Sequence, residues 1–281
     1  MISIFGSIGY SILENIHINK KIIIFADMHD KLKKCKNNKS IAEWFKEKFN
    51  SSRILLEEVP RSENSTIEEL WSESDHTQKL KELYLNNMKK IIAVDIRHTM
   101  IPYSMELIDK VDENGQNILL LIYLEDIDSF FSMKHKYMID NLLNYKINML
   151  KETNLGSHFL KIKKHYLDFL NKNMNILNKP IINITRNSNI IDDINDILND
   201  IMEWYICACI FESTMKTIIL HAGLAHTDKV NSWLLNHYKF NIIKDYGINE
   251  MNDIMNIYNN DTNGCVLLSS DIEKQFGGKN I

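Results

Sequence analysis

Proline and glycine are scarce in this chain: three prolines and nine glycines in 281 residues. So few turn-makers weigh against a many-turned all-β fold and favour long helices. Cysteine is also sparse, with Cys35, Cys207, Cys209 and Cys265 the full set. They lack zinc-type pairing, and the long cysteine-free stretch after Cys35 does not suggest a disulfide scaffold, so a reducing, cytoplasmic setting is the expectation. No apolar run is long enough to span a bilayer; the longest lie in "NILLLIYL" and "WYICACIF". The opening "MISIFGSIGYSILENI" lacks a basic leader and a small-residue cleavage pattern, so it does not read as a secretory signal. No large charge imbalance exists either: the net charge is -4, which gives no global reason to expect nucleic acid or an anionic membrane as partner. The basic "KLKKCKNNK" reads as a solvated face. Isoleucine, asparagine and lysine are abundant, as in proteins encoded by AT-rich genomes such as those of large DNA viruses, parasites or some bacteria.

What is present is an alternation of strands and helices. Lys21 to Phe25 ("KIIIF") reads as a buried strand, Ile41 to Phe49 has apolar residues at helical spacing, and "RILLE" (Arg53 to Glu57) is a second strand closed by Pro60. That order suggests a right-handed parallel crossover. Ser65 to Lys89 reads as largely helical, with Ser65 or Thr66 as its cap, and "KKIIAVDIR" (Lys89 to Arg97) as a third strand. Residues 104–211 are long amphipathic segments with few breakers, a helical insertion or cap; "NILLLIYL" within them is either a strand or the start of a helix. The strand pattern returns with "TIILH", a helix from about Thr227 to His237, then "FNIIKDY" and "GCVLLS". The expectation is a single α/β domain over residues 1–281, with a mostly parallel central sheet flanked by helices and a large helical insertion.

In open α/β sheets, ligands bind outside the carboxyl ends of the strands. Four such ends carry polar residues. In "FADMHD", Asp27 and His29 are two apart and share a side if extended. In "LLEEVP", Glu57 and Glu58 are adjacent, so only one faces the crevice. In "VDIRH", Asp95 and Arg97 share a side and His98 points away; their simplest role is a salt bridge. In "TIILHAGLAHTDKV", His221 reads as the last residue of a strand, Gly223 as a turn with positive φ or close backbone approach, and His226 as the residue just before a helix. The positive end of that helix dipole disfavours imidazolium and leaves a neutral ring able to act as ligand or base. His221 reads as a satisfied structural histidine, His135, His158 and His165 as solvated, and Cys207 and Cys209 as core.

Two imidazoles with one or two carboxylates form a donor set for Zn, Mn, Co or Fe with an open position for water. Such an ion lowers the pKa of its water and polarises a scissile carbonyl. Arg97 would position substrate or hold a developing oxyanion. The chain has no Gly-x-Ser-x-Gly elbow, no Gly-x-x-x-x-Gly-Lys loop and no Gly-x-Gly-x-x-Gly, and it lacks the further motifs of calcineurin-like phosphatases.

"ADMH" (Ala26 to His29), "LLEE" and the late "GLAH" (Gly223 to His226) resemble the paired Gly-x-x-His motifs and intervening glutamate of the superfamily of TIKI/TraB proteins, erythromycin esterases and ChaN-like haem-binding proteins. The resemblance covers roughly Lys21 to Arg97 and Thr217 to Tyr246. It implies His29, Glu57 and His226 as the centre of the site, as acid/base groups or ligands of a divalent metal, with Asp27 where other members carry glutamate. Ala26 departs from the motif's glycine. The implied activity is hydrolysis of a peptide or small-molecule ester. The alternative is a protein that keeps the fold without catalysis and binds a ligand in the crevice, or a protein partner through the helical insertion.

Overall fold

The computed structural model describes residues 1–28, 32–33, 35, 38–61, 74–100, 119–132, 154–184, 189–253, 255 and 264–277. It is an α/β fold whose residues group into two compact units, Met1–Val94 with Ile210–Ile281, and Asp95–Cys209. Among the described residues, no helix is long and apolar enough to cross a membrane.

The first unit is built on a mixed, mostly parallel six-stranded sheet. Its strands are β2 (Gly9–Asn15), β3 (Lys20–Asp27), β5 (Arg53–Leu56), β6 (Ile91–Ala93), β7 (Thr217–Gly223) and β8 (Asn241–Gly247), in the order β6-β5-β7-β3-β2-β8. The first four in that order run parallel, while β2 is antiparallel to both β3 and β8. A smaller sheet joins β1 (Ile2–Phe5) to β4 (Lys39–Ser40) and β9 (Cys265–Leu268). The two N-terminal strands escape a reading by apolar runs because polar residues interrupt them: Ser11, Glu14 and Asn15 lie in β2. Asn15 closes the β2–β3 hairpin, its side-chain oxygen accepting from the backbone N–H of His17 and Ile18.

β3, β5 and β7 are runs of Ile and Leu buried on both faces, as a covered parallel sheet requires. On one face lies α1 (Ile41–Lys48), which buries Ile41, Ala42, Trp44, Phe45 and Lys48. It starts at a capping box: Ser40 Oγ accepts from Glu43 N–H at 3.3 Å, and Ser40 N–H donates to Glu43 Oε2 at 2.9 Å. That donation holds the Glu43 carboxyl below its ordinary range. Ser40→Ala is expected to cost about 1 kcal/mol in urea unfolding. Because Glu43 has the lower pKa in the folded state, its contribution is complete above the unfolded-state value and fades as pH falls through the folded one. Alanine keeps the backbone N–H, the larger cause, so only the part of the difference that rests on the Ser40 hydroxyl should shrink in acid.

α2 (Asp75–Leu85) packs beside α1, while α7 (Leu224–Tyr238) covers β3 and β7. The helix expected from Ser65 to Lys89 is described only from Asp75 to Leu85; Ser65 and Thr66 lie outside the described residues. β6 stops at Ala93, four residues before the expected end at Arg97. A 3₁₀ turn at Arg97–Thr99 follows, so Asp95 and Arg97 lie beyond the strand and do not share a strand face.

The described part of the second unit is helical. It comprises α3 (Leu120–Tyr123), α4 (Glu125–Phe131), α5 (Asn154–Lys172) and the larger part of α6 (Asn189–Glu212). The ambiguous "NILLLIYL" turns helical at Leu120. An aromatic cluster of Phe130, Phe131, Phe159, Tyr166 and Trp204 forms its core.

Cys35 and Cys265 are joined by a disulfide across 230 residues of sequence, which no spacing rule reveals. Cys207 and Cys209 are free and buried, and burial pushes the Cys207 thiol far up. Alkylation under denaturing, non-reducing conditions should block two thiols, and four after reduction. Reduction is expected to lower stability by about 2–4 kcal/mol. Four reactive thiols before reduction would remove the cystine.

Candidate active site

Strand register decides which face each polar residue at the sheet's carboxyl edge occupies. Phe25 pairs with His221, Asp27 with Gly223, and Leu56 with His221. Paired residues of parallel strands share a face, and neighbours along a strand alternate. The face carrying Phe25 and His221 is the α1 face, since Phe25 meets Trp44 and Phe45 meets His221. Asp27 points to that side as well. Glu57, one residue past Leu56, points with Ala222 to the other, where α7 lies, and Glu58 turns back toward α2 to meet Lys81 at 3.3 Å.

On the α7 face, Glu57 and His226 come together. β7 does not end at His221; it runs to Gly223, and α7 begins at the next residue. Gly223 is the helix N-cap with φ -56°, so the positive φ expected there is absent, and His226 sits inside the first helical turn. The extra strand residues carry the histidine round to the edge of β5. Glu57 N–H donates to His221 O at 2.9 Å, continuing the β5–β7 ladder by one residue. Gly223 N–H then donates to Glu57 Oε2 at 2.6 Å. This ties the carboxylate to the positive end of α7, where a negative charge is favoured. Glu57 Oε1 lies 3.6 Å from His226 Nε2, and the two side chains are 9% and 13% exposed. The separation exceeds a hydrogen bond, but a small ring movement or one bridging water closes it. The partial exposure leaves both groups open to a reactant.

On the α1 face, Asp27 engages a histidine that no sequence motif marks. His76 Nε2 lies 2.8 Å from Asp27 Oδ1 and 3.1 Å from Oδ2, and His76 Nδ1 lies 2.9 Å from Ser74 Oγ. Ser74 is the N-cap of α2, and all three residues are buried. The ring packs edge-on against Phe5 and beside Gly6. Gly6 has φ +111°, and a Cβ there would stand 2.8 Å from Ile41 Cγ2 and 3.2 Å from His76 Cβ, so this position requires glycine. A clue to His76 was the polar "SDH" heading an otherwise apolar-periodic segment, but Asp27 lies 49 residues away in sequence.

The other expected site residues fall as follows. His29 lies outside the described residues. Asp27, offered as a metal ligand beside Glu57 and His226, is instead held by His76 on the opposite face. Arg97 belongs to the second unit, where its Nε and Nη2 clasp the Asp95 carboxylate at 2.8 and 3.0 Å and Nη1 donates to Asn199 Oδ1 at 2.8 Å. This bidentate fork makes Arg97 an orienting partner of Asp95. His98 is exposed, 3.7 Å from Asp95. His221 is buried, with its Nε2 2.9 Å from Gly6 O.

A resident divalent metal needs three or more protein donors in most catalytic sites. Glu57 and His226 supply two, and one Glu57 oxygen is already taken by Gly223. Among the described residues, no group of three or more His, Cys, Asp or Glu side chains is placed to hold a metal ion. The described donor set alone therefore does not fit Zn, Mn, Co or Fe. Set against profiles of known protein families, against curated proteins and against solved structures, the chain matches none.

Proposed function

We propose that the protein is a hydrolase of ester or peptide bonds whose reacting centre is the Glu57–His226 pair at the carboxyl edge of the sheet. What carries this reading is the convergence of a carboxylate just past the end of β5 and an imidazole in the first turn of the helix that follows β7, one fixed by a backbone N–H and both reachable by solvent. The short resemblance to TIKI/TraB proteins and erythromycin esterases implies these two residues together with His29, which lies outside the described residues.

The chemistry follows from the geometry. His226 Nε2 takes a proton from a water that attacks the scissile carbonyl. Glu57 Oε1 faces the ring and stabilises the charge it gains, while Gly223 N–H keeps the carboxylate from turning away. The imidazolium then returns its proton to the leaving alcohol or amine. A divalent ion, with His29 as a further ligand, is the variant of this proposal that the resemblance adds.

The deciding experiment is a screen of chromogenic ester and peptide substrates with and without a chelator. Hydrolysis that survives chelation supports the acid–base pair. Hydrolysis lost on chelation and restored by Zn, Mn, Co or Fe assigns the reaction to the metal variant. No turnover of any substrate favours the second reading, a ligand-binding protein of the same fold. That reading draws on Asp27, which stands where the resembled proteins carry glutamate and here is committed to His76.

A further inference from the structure

We propose that Ser74, His76 and Asp27 form a second, nucleophilic centre in which Ser74 is an activated serine able to take an acyl group from an ester. A nucleophile hydrogen-bonded to a base that is oriented by a third group is the recurring geometry of covalent hydrolysis, recognised by position and role and independent of sequence motif. Here the nucleophile lies in "SESDH", so a search for Gly-x-Ser-x-Gly passes over it.

Proton accounting sets the roles. The ionised Asp27 carboxylate is acceptor-only, so His76 Nε2, at 2.8 Å, must carry a proton. In the neutral ring, Nδ1 is then an acceptor, aimed at Ser74 Oγ from 2.9 Å. Thr77 Oγ1 also lies 2.8 Å from Ser74 Oγ, but Thr77 already donates its hydroxyl proton to Ser74 O at 2.9 Å, and imidazole is far the stronger base. With the ring neutral, the Ser74 hydroxyl donates to His76 Nδ1 while its oxygen accepts from Thr77 N–H. Ser74 immediately precedes an eleven-residue helix whose first N–H groups have no partner within the helix. Ser74 Oγ accepts from Thr77 N–H at 3.4 Å, so the positive end of the helix lies beside the oxygen.

The reaction balances without a co-reactant other than water. Ser74 Oγ bonds to the carbonyl carbon, its proton passes to His76 Nδ1, and the carbonyl π pair moves onto oxygen. Collapse breaks the bond to the leaving oxygen, which takes the proton from His76 and departs as an alcohol. Water, deprotonated by His76, then releases the acyl group as a carboxylic acid and restores the serine. Asp27 stabilises the imidazolium in both halves and orients the ring.

The test is covalent labelling of the intact protein with a fluorophosphonate, mapped by peptide mass spectrometry. The expected result is a single adduct at Ser74, formed at a rate that falls about 10²-fold or more in His76→Ala and that is absent from heat-denatured protein. His76→Asn, which keeps a polar side chain but no base, should be as slow as the alanine variant. Should Ser74→Ala fail to fold, Ser74→Cys keeps a capping side chain and is read by its alkylation rate with iodoacetamide, expected to depend on His76 in the same way. No adduct at Ser74, or labelling that is unchanged without His76, would reduce the trio to a buried network that caps α2. The adduct reports on Ser74 alone, so its absence leaves the Glu57–His226 proposal standing, and the converse holds.

Discussion

His226→Ala should lower kcat/KM for ester or peptide hydrolysis by about 10²–10⁴-fold while leaving the unfolding midpoint near that of the wild type. The imidazole faces Glu57 Oε1 and can both take and return a proton, so its removal strips the proposed reaction of its base and of its acid together. Little of the fold depends on the ring, because it is partly exposed in the first turn of α7 and the helix is anchored elsewhere by buried Leu224, Val230 and Leu234. Glu57→Gln should also reduce kcat, chiefly through lost stabilisation of the imidazolium, and it tests the carboxylate without changing side-chain volume. Full activity in His226→Ala would end the proposal. A large drop in stability would mean that the ring supports packing more than chemistry.

The largest expected effect on stability lies at Trp44. Its indole is fully buried against Phe25 and Phe45, with ring centroids 5.4 and 5.9 Å away, and the Lys48 ammonium sits 4.9 Å from its centroid. Its Nε1 donates to Glu273 Oε1, and Lys48 Nζ reaches the other oxygen of that carboxylate at 2.8 Å. One side chain therefore fills the space between α1 and the sheet and closes the network that docks α8 (Ser270–Gln275). Trp44→Ala should cost about 3–5 kcal/mol in urea unfolding, through lost transfer energy and the cavity left behind. Trp44→Phe keeps much of the volume but orphans Glu273 Oε1, at an expected cost of about 1–3 kcal/mol. A cost below 1 kcal/mol for the alanine variant would contradict the packing described here.

How far the fold could be read in advance depended on how each element is buried. β3, β5 and β7 are continuous Ile and Leu runs, and α1 shows helical spacing, so their type and order were legible. β1 and β2 were not, because Ser11 and Asn15 are buried through contacts made elsewhere: Asn15 donates to Tyr238 O and Ser11 Oγ receives from Asn231. Local sequence gives no sign of such partners. The end of β7 is hidden from the sequence for a similar reason. His221 looks like a polar stop, yet Gly6 O and the Phe45 ring let it stay inside the sheet, and the strand continues to Gly223.

The same logic divides the site. Glu57 and His226 are legible because each follows a strand closely, in a motif of recognisable chemistry. Past the end of β5, Glu57 meets Gly223 and Glu58 meets Lys81. His76 was not legible, since its role arises only when α2 folds onto the end of β3. Its presence there engages Asp27, which the resemblance places with the candidate metal ligands. The cystine between Cys35 and Cys265 likewise depends on β9 lying beside the segment that follows β3.

The central claim is that Glu57 and His226 act as one unit, and a double-mutant cycle on kcat/KM measures this directly. Glu57→Gln, His226→Ala and the double variant are assayed on one substrate, with urea unfolding of each as the control for folding. A working pair should make the double variant no slower than the slower single variant, since the carboxylate has no imidazolium to stabilise once the ring is gone. Losses that multiply, or single variants as active as the wild type, would show that the two residues do not work together and that this is not where the protein does its chemistry.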